Sequence, residues 1–159
     1  MQIDLRQAST GDLLRLYCNL LDELRARGVL RSTNNPVADY TEHLVATALG
    51  LTRTGGSASG YDATDAVGKR YQIKGRRLTP QNPSMQLSAI RNLPTRPFDV
   101  LATVMYRADF SVDYAALVPF EVVAERSRYQ EHTNSYRFMM DRKVLNDPRV
   151  IDITARLAA

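Results

Sequence analysis

The sequence predicts an α/β fold with a mixed central sheet flanked by helices. Its longest apolar run, Phe98 to Tyr106, is nearly unbroken, as a central strand covered on both faces requires. Gly60 to Lys74 reads as two short strands around a tight turn at Ala66-Val67-Gly68. Apolar residues at helical spacing precede both stretches, with start and stop signals at their ends.

The elements follow in chain order. Ser9-Thr10-Gly11-Asp12 opens a helix over 10–27, with Leu13, Leu14, Leu16, Tyr17, Leu20, Leu21 and Leu24 recurring along it and Gly28 ending it. Cys18 lies inside that pattern and is expected to be a buried structural thiol. After the polar loop 31–35, Pro36 starts a second helix where its missing N–H costs nothing. Val37, Tyr40, Leu44, Val45, Ala48 and Leu49 form its stripe, Glu42 lies on the margin of that stripe, and Gly50 closes the helix. Residues 51–60 form a short strand or loop, then comes the hairpin. Residues 78–84 are irregular, and 85–93 predict a helix with Leu87, Ile90 and Leu93 inward. After the central strand, a turn at 109–113 returns the chain antiparallel over 114–118, and a helix begins at Pro119. An edge strand over 136–140 and a terminal helix over 150–157 complete the expectation of one domain.

Composition narrows the class. The chain has 159 residues, 44% of them hydrophobic and 24% charged, enough for a sizeable core and unlike a disordered chain. No apolar run approaches the roughly 20 residues of a membrane helix. The first residues lack the basic-then-apolar layout of a secretory signal, so a cytoplasmic protein is expected. One cysteine excludes an internal disulfide and a cysteine-based zinc cluster. The net charge of +4 decides little by itself. Its distribution says more, because Lys69, Arg70, Lys74, Arg76 and Arg77 crowd around the hairpin and suit a polyanion such as a nucleic-acid backbone. The plainer reading is a strand edge protected by charge.

The hairpin sorts its side chains by chemistry. With a three-residue loop Asp65 faces Lys69, Asp62 lies opposite Gln72, and Lys74 sits diagonally beside Asp62 on the same face. Tyr61 opposite Ile73 and Ala63 opposite Tyr71 form the apolar side. Asp65 begins the turn and is structural. A hard divalent cation such as Mg²⁺ takes oxygen ligands, with one or two carboxylates and several waters. Asp62 supplies the anchoring carboxylate, Glu42 a second if its helix crosses the hairpin, and Gln72 a neutral oxygen. Lys74 stands where it can orient or help deprotonate a water, or offset phosphate charge.

Glycine-rich 55–60 is not a Walker loop, since Tyr61-Asp62 follows where Lys and Ser or Thr are needed; a flexible approach to the site strand is expected there. His43 points about 100° away from Glu42 on a helix, and His132 lies in a polar aromatic loop. No Gly-x-Ser-x-Gly elbow occurs, which argues against a serine hydrolase.

Gly60-Tyr61-Asp62 followed by Gln72-Ile73-Lys74, after a helix carrying Glu42, resembles the PD-(D/E)XK nuclease superfamily. In particular it resembles the Mrr-type variant with Gln at the second acidic position. The resemblance covers about 37–106 and leaves 107–159 as an elaboration. It implies a restriction-endonuclease-like core of helix, three-stranded meander, helix and further strand. It also implies a Mg²⁺-dependent endonuclease, with Mn²⁺ as a substitute ion, hydrolysing DNA phosphodiesters in restriction, defence or repair, often as a homodimer. Asp62, Gln72 and Glu42 would hold the metal, Lys74 would be the catalytic lysine, and Arg70, Arg76 and Arg77 would grip DNA. Because Gln72 removes a negative charge, a catalytically lapsed DNA-binding or protein-interaction module of the same fold is the alternative.

Overall fold

A computed structural model describes residues 4–55 and 60–157. Helix α1 spans Thr10–Ala26, capped by the Ser9 hydroxyl on the Asp12 N–H. Helix α2 spans Pro36–Leu49, with the Asn35 side chain accepting from Val37 N–H and Gly50 in the left-handed conformation behind it. The strands follow as β1 (Thr52–Arg53), β2 (Ala63–Thr64), β3 (Arg70–Arg77), β4 (Val100–Tyr106) and β5 (Val112–Pro119). Helix α3 (Phe120–Arg126), strands β6 (Arg128–Gln130), β7 (Ser135–Arg137) and β8 (Ile151–Asp152), and helix α4 (Thr154–Leu157) complete the chain.

Six strands form one mixed sheet in the order β1-β2-β3-β4-β5-β8. Neighbours are antiparallel except β3 and β4, which run parallel from Tyr71↔Val100 to Arg77↔Tyr106. Every residue of β4 is buried, as its unbroken apolar run predicts. Alternate β4 residues serve two cores. Val100, Ala102, Val104 and Tyr106 pack with Val45 of α2, Ile73 and Leu157. Leu101 and Met105 pack on the other face with Leu87, Ile90, Phe98, Val122 and Phe138.

The contact that sets α2 on the sheet is between Thr41 and Gly75. Thr41 is fully buried, and a Cβ added at Gly75 would overlap its Oγ1. The same hydroxyl donates to Val37 O at 2.6 Å and accepts from the Tyr106 hydroxyl at 3.1 Å. Only a residue without a side chain lets the helix approach β3 this closely.

Several expectations are corrected. The 85–93 segment is not a helix. Its Leu87 and Ile90 N–H groups donate to Phe138 O and Tyr136 O, each at 3.0 Å, so pairing with the 135–140 stretch wins over the helical spacing. Leu87, Ile90 and Leu93 are nonetheless buried as expected. The 136–140 stretch does not edge the main sheet: Ser135–Arg137 pairs with β6 in a separate two-stranded sheet, while Phe138 and Met140 fill the core. The terminal helix shrinks to α4, because Ile151 and Asp152 pair with Leu117 and Ala116 as a short edge strand first. Cys18 is exposed, because α1 lays its stripe on neither core. The glycine-rich approach to the hairpin falls at 56–59, outside the described residues. Among the described residues no helix is long and apolar enough to cross a membrane.

Gly75→Ala is expected to lower stability by about 1–3 kcal/mol, the usual cost of forcing extra volume into a packed contact. Adding Thr41→Ala should cost less than the sum of the two single changes, because the clash partner is gone. Chemical denaturation of the four proteins checks this, and strict additivity would contradict it.

Candidate active site

The hairpin turn forms as its residues require. Asp65 N–H donates to Lys69 O, Gly68 N–H to Asp65 O, and Gly68 takes φ of 83°. Ala63 faces Tyr71 in register, but the ladder then breaks. Continued, that register would set Tyr61 opposite Ile73. Instead Asp62 N–H donates to Tyr71 O at 2.8 Å, and Ile73 N–H donates to Asp62 Oδ2 at 2.7 Å. The cause lies just upstream. Gly60 has φ of 76°, and a Cβ there would come within 2.7 Å of Pro97 Cβ, so the chain enters β2 bent around Pro97. Tyr61 consequently packs against the core opposite to that of Ala63, Tyr71 and Ile73, which corrects the expected apolar pairing of Tyr61 with Ile73. Asp62 is likewise not a plain cross-strand partner of Gln72; its carboxylate occupies the ladder itself.

Around Asp62 the structure gathers three of the expected side chains by charge. The half-buried Asp62 carboxyl is pushed above its ordinary range by burial, against the pull of the Ile73 N–H, Lys74 and Arg53. Glu42 is pushed up too, by burial and then by the nearby negative charge of Asp62. Lys74 is pushed down by burial, partly offset by Asp62. Its Nζ donates to Ser88 Oγ at 2.8 Å and Ala89 O at 3.2 Å, on the sheet face opposite α2. Gln72 shares that face by alternation, and its buried Oε1 has no hydrogen-bond partner among the described residues. A lone buried amide oxygen costs free energy unless a donor or cation meets it.

Arg53 on β1 is a member that motif reasoning missed. Its side chain is only 10% exposed; Nη2 lies 3.4 Å from Glu42 Oε2, and Nε is buried without a partner among the described residues. Period-two alternation from Leu51 is the one signal that would have turned it toward α2. Ser88 was missed because its segment was read as a helix.

The three arginines assigned to DNA separate. Arg70 is clamped by Asp99, with Nε to Oδ2 at 3.2 Å and Nη2 to Oδ1 at 3.0 Å, at the end of β3 opposite Arg77. Arg76 is braced by Ser84 O and Asn82 Oδ1, and Arg77 by Ala108 O and the Phe110 ring. Arg76 and Arg77 share a cleft of about 480 Å³ with Asn34, Asn35, Asn82 and Ser88. Since Ser88 holds Lys74, this cleft adjoins the site. His43 and His132 enter none of these contacts.

The donor set suits a hard cation. It comprises the Asp62 and Glu42 carboxylates, both pushed up by burial and Glu42 further by the charge of Asp62, and an amide oxygen without a partner among the described residues, groups that positive charge would relieve. Among the described residues no group of three or more His, Cys, Asp or Glu side chains could hold a metal, so any ion here rests on two acids and keeps much of its water. No protein-family model matches the chain, and no curated protein is significantly similar to it.

Both carboxyls bind protons more tightly folded than unfolded. Their ionised forms therefore cost stability, and the cost grows as pH rises through the interval between the unfolded value and the raised folded one. Asp62→Asn, which keeps an acceptor for Ile73 N–H, should raise the melting temperature at pH 7, and the gain should shrink as pH falls through that interval and vanish below the unfolded carboxyl range. Thermal melts from pH 3 to 8 check this. An equal gain at every pH, or a loss at pH 7, would contradict it.

Proposed function

We propose that this chain is a Mg²⁺-dependent endonuclease that hydrolyses DNA phosphodiester bonds at the Asp62 site. The observation that carries the reading is the Asp62 carboxylate, drawn into the β2–β3 ladder and felt by both Glu42 and Lys74; the buried Gln72 amide oxygen, without a partner among the described residues, supports it. The order of a helix, an antiparallel meander β1-β2-β3 and a parallel β4 supports it as well, since this is the arrangement of the restriction-endonuclease-like core. The chain departs from that core in having an irregular segment where the second helix would stand.

In this reading Asp62, Glu42 and the Gln72 side-chain oxygen hold the ion. Bound there, Mg²⁺ supplies positive charge that acidifies a water and offsets charge on the phosphate. Asp62 is oriented for this by the Ile73 N–H, which occupies one carboxylate oxygen and fixes the other. Lys74, its proton held more loosely than usual because of burial, orients the attacking water and moves a proton at Nζ, with Ser88 Oγ and Ala89 O setting its position. Arg76 and Arg77, in the cleft reached through Ser88, take the flanking phosphates; Arg70 keeps its structural bond to Asp99.

One observation favours the lapsed module as the second reading. Arg53 already brings a positive charge to Glu42 and Asp62, which is the place of a cation. Such a module would bind DNA in a salt-sensitive manner without turnover.

Plasmid and linear DNA incubated with Mg²⁺ or Mn²⁺, with a chelator control, distinguishes the two. Under the nuclease reading the wild type cuts, the chelator stops it, and Asp62→Ala or Lys74→Ala loses about 10²–10⁴-fold in rate. Binding without cutting under any metal would transfer the assignment to the lapsed module. Undiminished cutting by both variants would remove the site from the reaction.

A further inference from the structure

Helix α1 is the least satisfied element of the chain. It runs 17 residues, and none of them is buried. Leu13 is 38% exposed, Leu14 62%, Tyr17 56% and Leu20 55%. No α1 residue belongs to either core or to the partly buried shell around it. Local capping shapes both ends, and ion pairs Arg15–Asp12, Arg25–Asp22 and Arg27–Glu23 lace its polar positions. Leu16, Leu21 and Leu24 are half-buried, while Leu13, Tyr17 and Leu20 stay exposed and lie in neither core among the described residues. A solvated stripe of this length is unfavourable, and on a globular domain it marks an interaction surface.

We propose that α1 is a homodimer interface in which two copies pair antiparallel through this stripe. The spacing of the apolar residues is self-complementary. Leu13, Tyr17, Leu20 and Leu24 follow one another by four, three and four residues, so the row reads the same in either direction. A twofold axis crossing the helix between Cys18 and Asn19 sets Leu13 against Leu24, Tyr17 against Leu20 and Leu16 against Leu21 of the second copy. A closed twofold contact of this kind needs one patch that matches itself. The ends agree in charge as well. Asp12 in the first turn meets the Arg25 end of the second copy, and the two helix dipoles oppose each other. The large side chains of the two stripes would together remove on the order of 1,000 Å² from water, about the least that a specific interface buries. Because the helix contributes to neither core, pairing asks for no rearrangement of the sheet. The inference stands apart from the nuclease reading, and either can fail alone.

Sedimentation equilibrium of the full chain tests it. The wild type should weigh twice its 17.9 kDa chain mass at micromolar concentration. Leu13→Glu with Leu20→Glu should be monomeric, with its far-UV circular dichroism and core unfolding transition retained. A monomeric wild type, or a dimer that survives the double substitution, would overturn the proposal. Spin labels on Cys18, the only cysteine and an exposed one, test the register without touching the stripe. Antiparallel helices packed about 8–10 Å apart put both labels near the axis. A separation longer than the helix itself, about 25 Å, would rule the pairing out.

Discussion

Oδ2 of Asp62 stands where a peptide carbonyl would otherwise complete the β2–β3 ladder, accepting Ile73 N–H at 2.7 Å. Most of the site's organisation depends on that substitution. A carbonyl from Tyr61 in that place would keep β2 in register and turn the Asp62 side chain outward as an ordinary strand residue. With the carboxylate in the ladder, β2 leaves β3 at this point, and the Tyr61 carbonyl lies near Thr54 Oγ1 instead, at 3.4 Å. Both Thr54 groups, N–H and Oγ1, reach the Asp62 carbonyl, so β1 is tied to the same residue. An acid fixed this way loses part of its solvation but gains a defined orientation, which is what a ligand or a positioned base requires.

A second constraint decides which side chains Asp62 meets. The Thr41–Gly75 contact presses α2 onto β3, and Glu42 is the next residue on that helix. Glu42 therefore reaches Asp62 from the α2 side, while Lys74, the neighbour of Gly75, points to the other face and is held by Ser88 and Ala89. Two like charges and one ammonium thus converge at the gap between strands, each pushed from its ordinary proton affinity by burial. Perturbed groups of opposite tendency in one place are the usual mark of a functional site. Arg53 is a partial counterweight: its positive charge offsets part of the cost of burying Glu42 and Asp62.

Much of the fold was legible in the sequence, for identifiable reasons. β4 could be read because a strand covered on both faces has no polar alternation to confuse it. α2 was marked by Asn35-Pro36 and Gly50, and the hairpin by Gly68. The helical reading of 85–93 failed because Leu87, Ile90 and Leu93 are buried by non-local pairing with 135–140, which their spacing cannot report. The α1 leucines were correctly read as helical, yet Cys18 was wrongly placed inside, because periodicity identifies an apolar face and not what covers it. The closeness of Glu42 and Lys74 to the charge of Asp62 was anticipated by residue type and spacing. The ladder break at Asp62 was not, since it follows from Gly60 bending around Pro97, a residue 37 positions away.

The account turns on whether the Asp62 cluster is a cation site. Titration of the intact protein with Mn²⁺, followed by electron paramagnetic resonance of the free ion, measures this without any assumption about DNA. One saturable site per chain, competed by Mg²⁺ and lost in Asp62→Ala, is the predicted result. No saturable binding in the wild type, or binding unchanged in the variant, would contradict the account and leave the cluster's positive charge to Arg53 and Lys74.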